Sequence, residues 1–248
     1  MSGCYNCGIS GLSVPPKKRL WLPTVTLMII DCIDLNRTVK VIEHCKKEID
    51  FGAVKILSSL PYAYCPALVE IPRLNSLIEY SIFMLTKVHQ YIDTKHVLIV
   101  QRDGFILNPG KWNNEWLEYD YIGPLFVQYD KVGSGGFSLR SRELMKFVAT
   151  HMPEWDGTLQ DAHRIQSDLG YYEDGVICLS NKFKKFDIAL PDQSAEFAHG
   201  GNRNPKYFRE QPFGFHRTFA DIDFKTGKLK YDLSKDLKNS YHDEIDGL

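Results

Sequence analysis

Three short, continuous apolar runs, separated by longer segments with helical periodicity, constrain the fold of this chain most strongly. The runs are Thr24–Ile30, Ala53–Leu57 and His96–Val100, and each has the length of a buried strand. Between them, apolar side chains recur at helical spacing in Arg37–Ile49 and from about Asn75 to Tyr91. This order predicts an α/β domain with a mostly parallel central sheet that is flanked by helices.

The second half of the chain is less regular and is rich in aromatic residues and glycines. Short strands are predicted at Tyr121–Gly123 and Gly136–Leu139. Helices are predicted at Arg142–His151, with Ser141 as the N-cap, and at Gly175–Asn181.

Composition along the chain indicates one domain between two less structured ends. Glycine, serine and proline are frequent in residues 1–19, which favours a flexible leader. One domain is predicted over residues 20–220, with a first half at 20–105 and a second half at 106–220. Residues 221–248 are charged and have few apolar side chains, so they are predicted to form a surface tail.

Charge and hydropathy exclude several classes of partner. The formal net charge is −1, which gives no overall attraction to nucleic acid or to anionic lipid. No apolar run approaches the roughly 20 residues of a membrane-spanning helix, and the N-terminus lacks the pattern of a secretory signal. We therefore expect no membrane span and a cytoplasmic protein, in the host cytoplasm if the chain is viral. Cys4 and Cys7 form a C-x-x-C pair without a second pair at zinc-site spacing, so free thiols are expected.

Polar side chains follow each of the three apolar runs. Asp31 ends the first run, Ser58-Ser59 end the second, and Gln101-Arg102-Asp103 end the third. The carboxyl ends of parallel strands share one edge of a sheet, and open α/β sheets bind ligands there. We expect these side chains to line one crevice, where Asp103 could hold a divalent cation. A plain Asp-Gly turn without a ligand is the competing interpretation.

Three further motifs could carry chemistry. The glycine-rich stretch 133–136 allows the backbone to approach a bound group closely, although a flexible hairpin has the same composition. Glu173-Asp174 precede an apolar helical run, where they either complement the helix dipole or provide a general base. His216 follows the apolar stretch Pro212–Phe215 and is either a metal ligand or a packed side chain, and His199 is a weaker candidate.

In their order along the chain, these motifs resemble the DUF5672 type of glycosyltransferase-like proteins, which is similar to the broader GT-A superfamily. The resemblance covers roughly residues 24–220 and is carried by five segments: Gln101-Arg102-Asp103, Tyr121-Ile122-Gly123-Pro124, Val132–Ser141, Glu173-Asp174 ahead of Ile177-Cys178, and Phe213–His216.

The resemblance implies a GT-A-like single domain with a Rossmann-like N-terminal half that binds a nucleotide sugar, with a UDP-sugar favoured. Asp31, Gln101, Arg102 and Asp103 are the expected donor-binding residues. The resemblance also implies Mn²⁺ or Mg²⁺, held by Asp103 and His216. Gln101 stands where the superfamily's Asp-x-Asp metal motif has its first aspartate.

On the acceptor side, the resemblance implies a loop of Gly135, Gly136 and Phe137, with Trp112 expected beside it. It assigns Glu173-Asp174 as the catalytic pair, in which Asp174 rather than Glu173 is the base that takes the proton of the acceptor hydroxyl. Direct displacement by this route inverts the anomeric configuration.

Two alternatives to a saccharide-directed enzyme remain open. One is a phage-type glycosyltransferase that acts on hydroxymethylated DNA bases, which the basic clusters Lys17–Arg19 and Lys182–Lys185 permit. The near-neutral net charge argues against extended phosphate binding. The other is a non-catalytic module that binds a sugar nucleotide or a glycan and has lost full metal binding at Gln101. The donor sugar and its nucleotide base, the acceptor, inversion or retention of the anomeric configuration, and the oligomeric state are left open.

Overall fold

The computed structural model describes residues 19–61, 65–180, 183–202 and 204–217, together with the strand segments Ile222–Asp223 and Lys228–Leu229. The predicted leader up to residue 18, which includes Cys4 and Cys7, lies outside the described residues, and so does most of the predicted tail.

The central sheet has six strands, namely β1 (Leu20–Ile30), β2 (Ile49–Ser58), β3 (Leu68–Glu70), β4 (His96–Val100), β5 (Tyr121–Ile122) and β6 (Ser138–Ser141). Their order across the sheet is β3-β2-β1-β4-β6-β5. The first four are parallel, whereas β6 is antiparallel to both β4 and β5. The predicted α/β class with a mostly parallel sheet flanked by helices is confirmed.

The helices are α1 (Leu35–Cys45), α2 (Leu77–Thr86), α3 (Arg142–Thr150), α4 (Leu159–Leu169), α5 (Glu173–Cys178) and α6 (Pro191–Phe197). Single 3₁₀ turns occur at Val88–Tyr91, Pro109–Lys111, Asn114–Glu118 and Pro205–Tyr207. Outside the central sheet, β7 (Ala198–His199) is parallel to β8 (Gly214–Phe215), and β9 (Ile222–Asp223) is antiparallel to β10 (Lys228–Leu229). No helix in the described ranges is long and apolar enough to cross a membrane.

Side chains alternate between the two faces of the sheet and form two buried clusters. On one face, Met28 and Ile99 pack with apolar residues of α2, α3, α4 and α5. On the other face, Leu27 and Leu98 pack with α1, with Phe197 of α6 and with the aromatic residues around β8. Burial on both faces explains why β1 and β4 are continuous apolar runs.

Two predicted boundaries near β1 are wrong for identifiable reasons. β1 begins at Leu20 instead of Thr24, because a register shift between Leu22 and Thr26 lets it keep pairing with β2 past Pro23. A Cβ at Gly52 would lie 2.0 Å from the Pro23 carbonyl oxygen, so the glycine permits this shift. The helix predicted to reach Ile49 ends at Cys45, since Ile49 is already the first residue of β2.

Candidate functional site

The turn after β4 places Arg102 and Asp103 at the carboxyl edge of the parallel strands. The Gln101 N–H donates to the Gly104 carbonyl at 2.7 Å, and the Gly104 N–H donates back to the Gln101 carbonyl at 3.1 Å. These two bonds close a tight turn with Arg102 and Asp103 at its tip. The Asp103 side chain is 39% exposed, so solvent or a ligand reaches its carboxylate.

His216 follows β8 and lies beside this turn, although 113 residues separate it from Asp103 in sequence. Its Nε2 atom is 3.8 Å from Asp103 Oδ2 and 3.2 Å from Gln101 Oε1. Its Nδ1 atom is 2.8 Å from Ser134 Oγ. The His216 N–H donates to the His199 carbonyl at 2.8 Å, which fixes the backbone at the end of β8. The structure therefore brings together the two residues predicted as metal ligands.

The amide of Gln101 is oriented by a residue outside the turn. Its Nε2 donates to the Tyr80 hydroxyl oxygen at 3.1 Å, which directs Oε1 toward His216. Burial lowers the pKa of His216 to about 4, with the Asp103 carboxylate acting in the opposite direction, so the imidazole is neutral at pH 7. When its proton is on Nδ1 and is donated to Ser134 Oγ, the lone pair of His216 Nε2 lies near two further lone-pair atoms, Gln101 Oε1 and Asp103 Oδ2.

The glycine loop, residues 133–136, runs between two groups of functional side chains. The Tyr121 hydroxyl donates to the Gly133 carbonyl and anchors the start of the loop. A Cβ at Gly136 would lie 2.1 Å from His216 Nε2, and a Cβ at Gly135 would lie 2.3 Å from Glu173 Oε1. Both distances are far below van der Waals contact, so the loop needs glycine at these positions because side chains press against it from both sides.

The acid pair at the start of α5 faces the other side of the glycine loop. Asp174 is partly exposed, and its Oδ2 accepts the Gly135 N–H at 3.0 Å. Glu173 Oε1 lies 3.2 Å from Arg140 Nη2, and these two side chains are only 6% and 0% exposed. Burial and then the Asp174 carboxylate raise the pKa of Glu173 to about 7, although Arg140 acts in the opposite direction. Asp174 is therefore the carboxylate of the pair that a substrate can reach.

Asp31 and Arg102, both predicted to bind the donor, form an ion pair with each other. Arg102 Nε lies 2.9 Å from Asp31 Oδ2, and the Arg102 side chain is 31% exposed whereas that of Asp31 is 5% exposed. Asp31 also accepts the N–H groups of Ile33 and Asp34 and the Thr38 hydroxyl, at 2.7 to 3.1 Å. The Asp31 carboxylate thus fixes the start of α1 and the direction of Arg102, and of the two side chains only that of Arg102 is accessible to solvent.

Of the two aromatic side chains predicted on the acceptor side, Phe137 is fully buried, whereas Trp112 is half-buried. The Phe137 ring is fully buried and packs against Phe197 and Phe213, with centroids 5.1 and 5.8 Å away. The predicted acceptor contact of Phe137 is therefore corrected: its side chain supports the glycine loop from the core. Trp112 packs against Trp116 and Phe213 at 5.5 and 5.4 Å, as part of the same aromatic cluster.

Three residues that contact this site have no role in the sequence-based prediction: Tyr80, and also Ser134 and Arg140, although these two lie in the motif Val132–Ser141. Tyr80 lies within the predicted helix from about Asn75 to Tyr91, and Ser134 lies between Gly133 and Gly135; neither position indicates a functional role. Because Arg140 alternates with Leu139 in β6, the sequence pattern favours a solvent-facing side chain, whereas both faces of β6 are buried. Strand alternation does carry one usable signal, because it puts Phe137 and Leu139 together on the core face.

The atoms around His216 fit the metal ion that the resemblance implies. In the described part of the chain, no group of three or more His, Cys, Asp or Glu side chains is placed to hold a metal ion. Asp103 and His216 are two such groups, and Gln101 Oε1 is a third ligand atom of another type. Ligand atoms bound to one ion at about 2.0–2.2 Å lie within roughly 4.4 Å of each other. His216 Nε2 meets this condition with each of the two oxygens, at 3.2 and 3.8 Å, and carboxylate and amide oxygens are ligands that suit Mn²⁺ or Mg²⁺.

Two solved structures are similar to this chain at low sequence identity. One is the crystal structure of a glycosyltransferase involved in the glycosylation of the major capsid of PBCV-1, with 10% identity and a TM-score of 0.46 over 83% of this chain and 97% of that chain. The other is the mannosyltransferase PcManGT from Pyrobaculum calidifontis in complex with GDP-Man and Mn²⁺, with 11% identity and a TM-score of 0.34 over 68% of this chain and 61% of that chain. No curated protein sequence matches the chain.

A family model matches the segment that holds most of the site. The matched residues are 68–216, which is more than half of the 248 residues. They include the turn after β4, the glycine loop, the acid pair and His216. The family is described as "Protein of unknown function (DUF5672)". By this match the chain belongs to the DUF5672 family.

Proposed function

We propose that the chain is a metal-dependent glycosyltransferase that moves a sugar from a nucleotide-sugar donor to an acceptor hydroxyl. One observation carries the proposal: three side-chain atoms able to bind a metal ion, namely His216 Nε2, Gln101 Oε1 and Asp103 Oδ2, and a partly exposed carboxylate lie on opposite sides of one glycine loop. Sugar transfer from a nucleoside diphosphate needs positive charge at the leaving diphosphate and a base at the attacking hydroxyl. In the proposal, the side with His216 holds the metal ion that provides the positive charge, and the side with Asp174 provides the base.

The donor side comprises Asp103, His216 and Gln101. These residues would hold Mn²⁺ or Mg²⁺, which when bound supplies charge stabilisation to the departing diphosphate. Arg102 adds a second positive charge at the mouth of the crevice, and Asp31 keeps its guanidinium in place. A UDP-sugar is the first donor to test.

Asp174 is the proposed base on the acceptor side. Its carboxylate takes the proton of the acceptor hydroxyl while the hydroxyl oxygen forms a bond to the anomeric carbon. The bond between that carbon and the diphosphate oxygen breaks in the same step, and the nucleoside diphosphate leaves. A single displacement of this kind inverts the anomeric configuration. Glu173 does not take this role in the proposal, because its side chain is buried against Arg140.

The test is a thermal-shift screen of nucleotide sugars with and without Mn²⁺, followed by an assay for release of the nucleoside diphosphate. A true donor raises the melting temperature only when the metal is present. Asp103→Asn should remove this increase, whereas Asp161→Asn, in an exposed ion pair with Arg164, should keep it. A metal-independent increase, or none with any nucleotide sugar, would refute the proposal.

The same assay separates the two alternatives. Donor binding without hydrolysis or transfer, in the presence of saccharide acceptors, would identify a binding module. Transfer to hydroxymethylated DNA but not to saccharides would identify a DNA-base enzyme, and its rate should then fall steeply with salt.

A further inference from the structure

Arg140 is a fully buried arginine to which neither the resemblance nor the proposed mechanism gives a role. It lies in β6 with 0% exposure, and its guanidinium carbon is 5.1 Å from the centroid of the Tyr121 ring. Removing a guanidinium from water is costly, so such a group persists where several acceptors surround it. The acceptors of Arg140 are Ser138 Oγ, the Gly135 carbonyl and Glu173 Oε1, on the acid side of the glycine loop (the side of Glu173 and Asp174), while Nη1 has no partner in the described structure.

The contacts of Arg140 converge on the backbone of Gly135. Its Nε donates to Ser138 Oγ at 2.9 Å, and the Ser138 hydroxyl donates to the Gly135 carbonyl at 2.8 Å. Its Nη2 donates to the same carbonyl and to Glu173 Oε1, at 3.2 Å in both cases. The Gly135 N–H donates to Asp174 Oδ2 at 3.0 Å. Gly135 is thus held at its carbonyl by Arg140 and holds the carboxylate of Asp174 at its N–H.

We propose that Arg140 is the positioning residue of this site: by joining the Gly135 carbonyl to Glu173, it fixes the place from which Asp174 reaches the acceptor. This inference rests on the proposed function, since Asp174 is the base whose place is at issue. A planar guanidinium suits this task because its Nε and Nη2 reach different acceptors in a fixed geometry, which a lysine ammonium cannot reproduce. Glu173 acts here as the partner that keeps α5 against the loop.

The variants must separate positioning from simple charge neutralisation. Arg140→Met leaves Glu173 buried without a partner and is expected to unfold at a lower temperature. Arg140→Met combined with Glu173→Gln removes both charges and should recover much of the melting temperature. Arg140→Lys keeps the positive charge but loses the planar guanidinium, whose Nε and Nη2 reach two different acceptors. The matched control is Arg164→Met, which removes an arginine from an exposed ion pair with Asp161.

The kinetic expectation concerns kcat and donor affinity separately. In the double variant, kcat should stay about 10²-fold below wild type, because a small displacement of a reacting group has an effect of that size. The affinity for donor in the presence of Mn²⁺ should be unchanged, since Asp103 and His216 lie on the other side of the loop. Arg140→Lys should recover part of kcat. Recovery of both melting temperature and kcat in the double variant would show that Arg140 only neutralises Glu173, and would overturn the proposal.

A second readout does not depend on activity. Labelling with ¹³C-carbonyl serine and ¹⁵N-glycine gives amide signals for three Ser-Gly pairs of the sequence: Ser2-Gly3, Ser10-Gly11 and Ser134-Gly135. Ser134→Ala identifies the Gly135 signal by its disappearance. Asp174→Asn should shift the Gly135 proton in the wild-type background, because it replaces a carboxylate acceptor with a neutral one. In the double variant this shift should be lost.

The two readouts distinguish failure of the inference from failure of the proposed function. If the Gly135 signal responds to Asp174→Asn as strongly in the double variant as in wild type, Arg140 does not set the position of Asp174. If the response is lost but wild type turns over no nucleotide sugar, the positioning role stands and the proposed function is refuted.

Discussion

Two buried polar groups flank the glycine loop, and they are stabilised in different ways. Arg140 and Glu173, on the acid side, form an ion pair, and Arg140 Nη2 also donates to the Gly135 carbonyl, whereas Arg140 Nη1 is buried without a hydrogen-bond partner in the described structure. His216, on the histidine side, faces a carboxylate oxygen and an amide oxygen at 3.8 and 3.2 Å. The acid side therefore carries its own positive charge in the Arg140 guanidinium, whereas on the histidine side the proposed cation would supply it. In the proposed mechanism, the base Asp174 is already in place before any ligand binds, and the positive charge of the metal ion is added when the ligand binds.

The largest effect expected from this comparison follows removal of the base. Asp174→Asn should lower kcat by about 10²–10⁴-fold, the usual effect of losing a positioned general base. Donor affinity with Mn²⁺ should stay near that of wild type, because the substitution leaves the histidine side intact. Release of nucleoside diphosphate and thermal-shift titrations measure the two quantities. Near-wild-type turnover would mean that the acid side does not supply the base.

Substitution of Gly135 or Gly136 by alanine should impair a different side of the site in each case, the acid side for Gly135 and the histidine side for Gly136. A Cβ at Gly135 collides with Glu173 and one at Gly136 with His216, so each variant should lose up to about 3 kcal/mol of stability. Gly135→Ala should mainly lower turnover, and Gly136→Ala should mainly weaken Mn²⁺ binding. Gly110→Ala is the control, since a Cβ there meets nothing within 4 Å. Denaturant unfolding measures the stability of each variant, and turnover assays and Mn²⁺ titration measure its activity and metal affinity. Equal losses of turnover and of Mn²⁺ affinity in the two loop variants would contradict the assignment of one function to each side.

Mn²⁺ alone should stabilise the folded protein. At 100 times its Kd, a ligand that binds only the folded state adds about 2.7 kcal/mol. His216→Ala and Asp103→Asn should remove this stabilisation, as should EDTA. Glu173→Gln should keep it, because it alters only the acid side. Melting temperature as a function of Mn²⁺, without nucleotide, gives the answer, and equal stabilisation of all four proteins would place the metal elsewhere.

The pH dependence of stability should have opposite signs on the two sides. Glu173 has a folded pKa of about 7 against an ordinary value of 4.5, so the folded state binds more protons in this range and stability falls as pH rises. From pH 5 to pH 7 this amounts to about 2 kcal/mol, which Glu173→Gln should abolish. His216 has a folded pKa of about 4 against 6.5, so its contribution rises with pH between these values and His216→Ala should remove it. Urea unfolding at a series of pH values tests both signs.

The regular half of the fold follows directly from the sequence. β4 occupies the predicted His96–Val100 because its apolar run is bounded by polar residues at both ends and buried on both faces. β3, α4 and α6 are absent from the sequence-based prediction. β3 has three residues and α6 has seven, too few for a periodic pattern, and α4 buries only Ala162 and Ile165. The other residues of α4 are mostly polar, so its two buried positions do not form a recognisable helical pattern.

The candidate site is predictable only where a residue follows a recognisable element. Asp103 is placed by the strand before it, and Asp174 by the helix after it. Arg140 and Tyr80 gain their importance from partners far along the chain, which no local pattern specifies. Phe137 is predicted on the acceptor side by the resemblance, but its alternation with Ser138 and Arg140 puts the ring in the core. The roles assigned to Asp174, Asp103 and His216 remain predictions.

The pairing of His216 with Asp103 across 113 residues also bears on the order in which the molecule is made. The parallel strands β1, β2 and β4 are complete by residue 100, but the histidine leaves the ribosome more than a hundred residues later. Such a high sequence separation makes this contact slow to form, because a long stretch of chain must be ordered first. From residue 100 until His216 is made, the nascent chain therefore has its parallel strands but only part of its site.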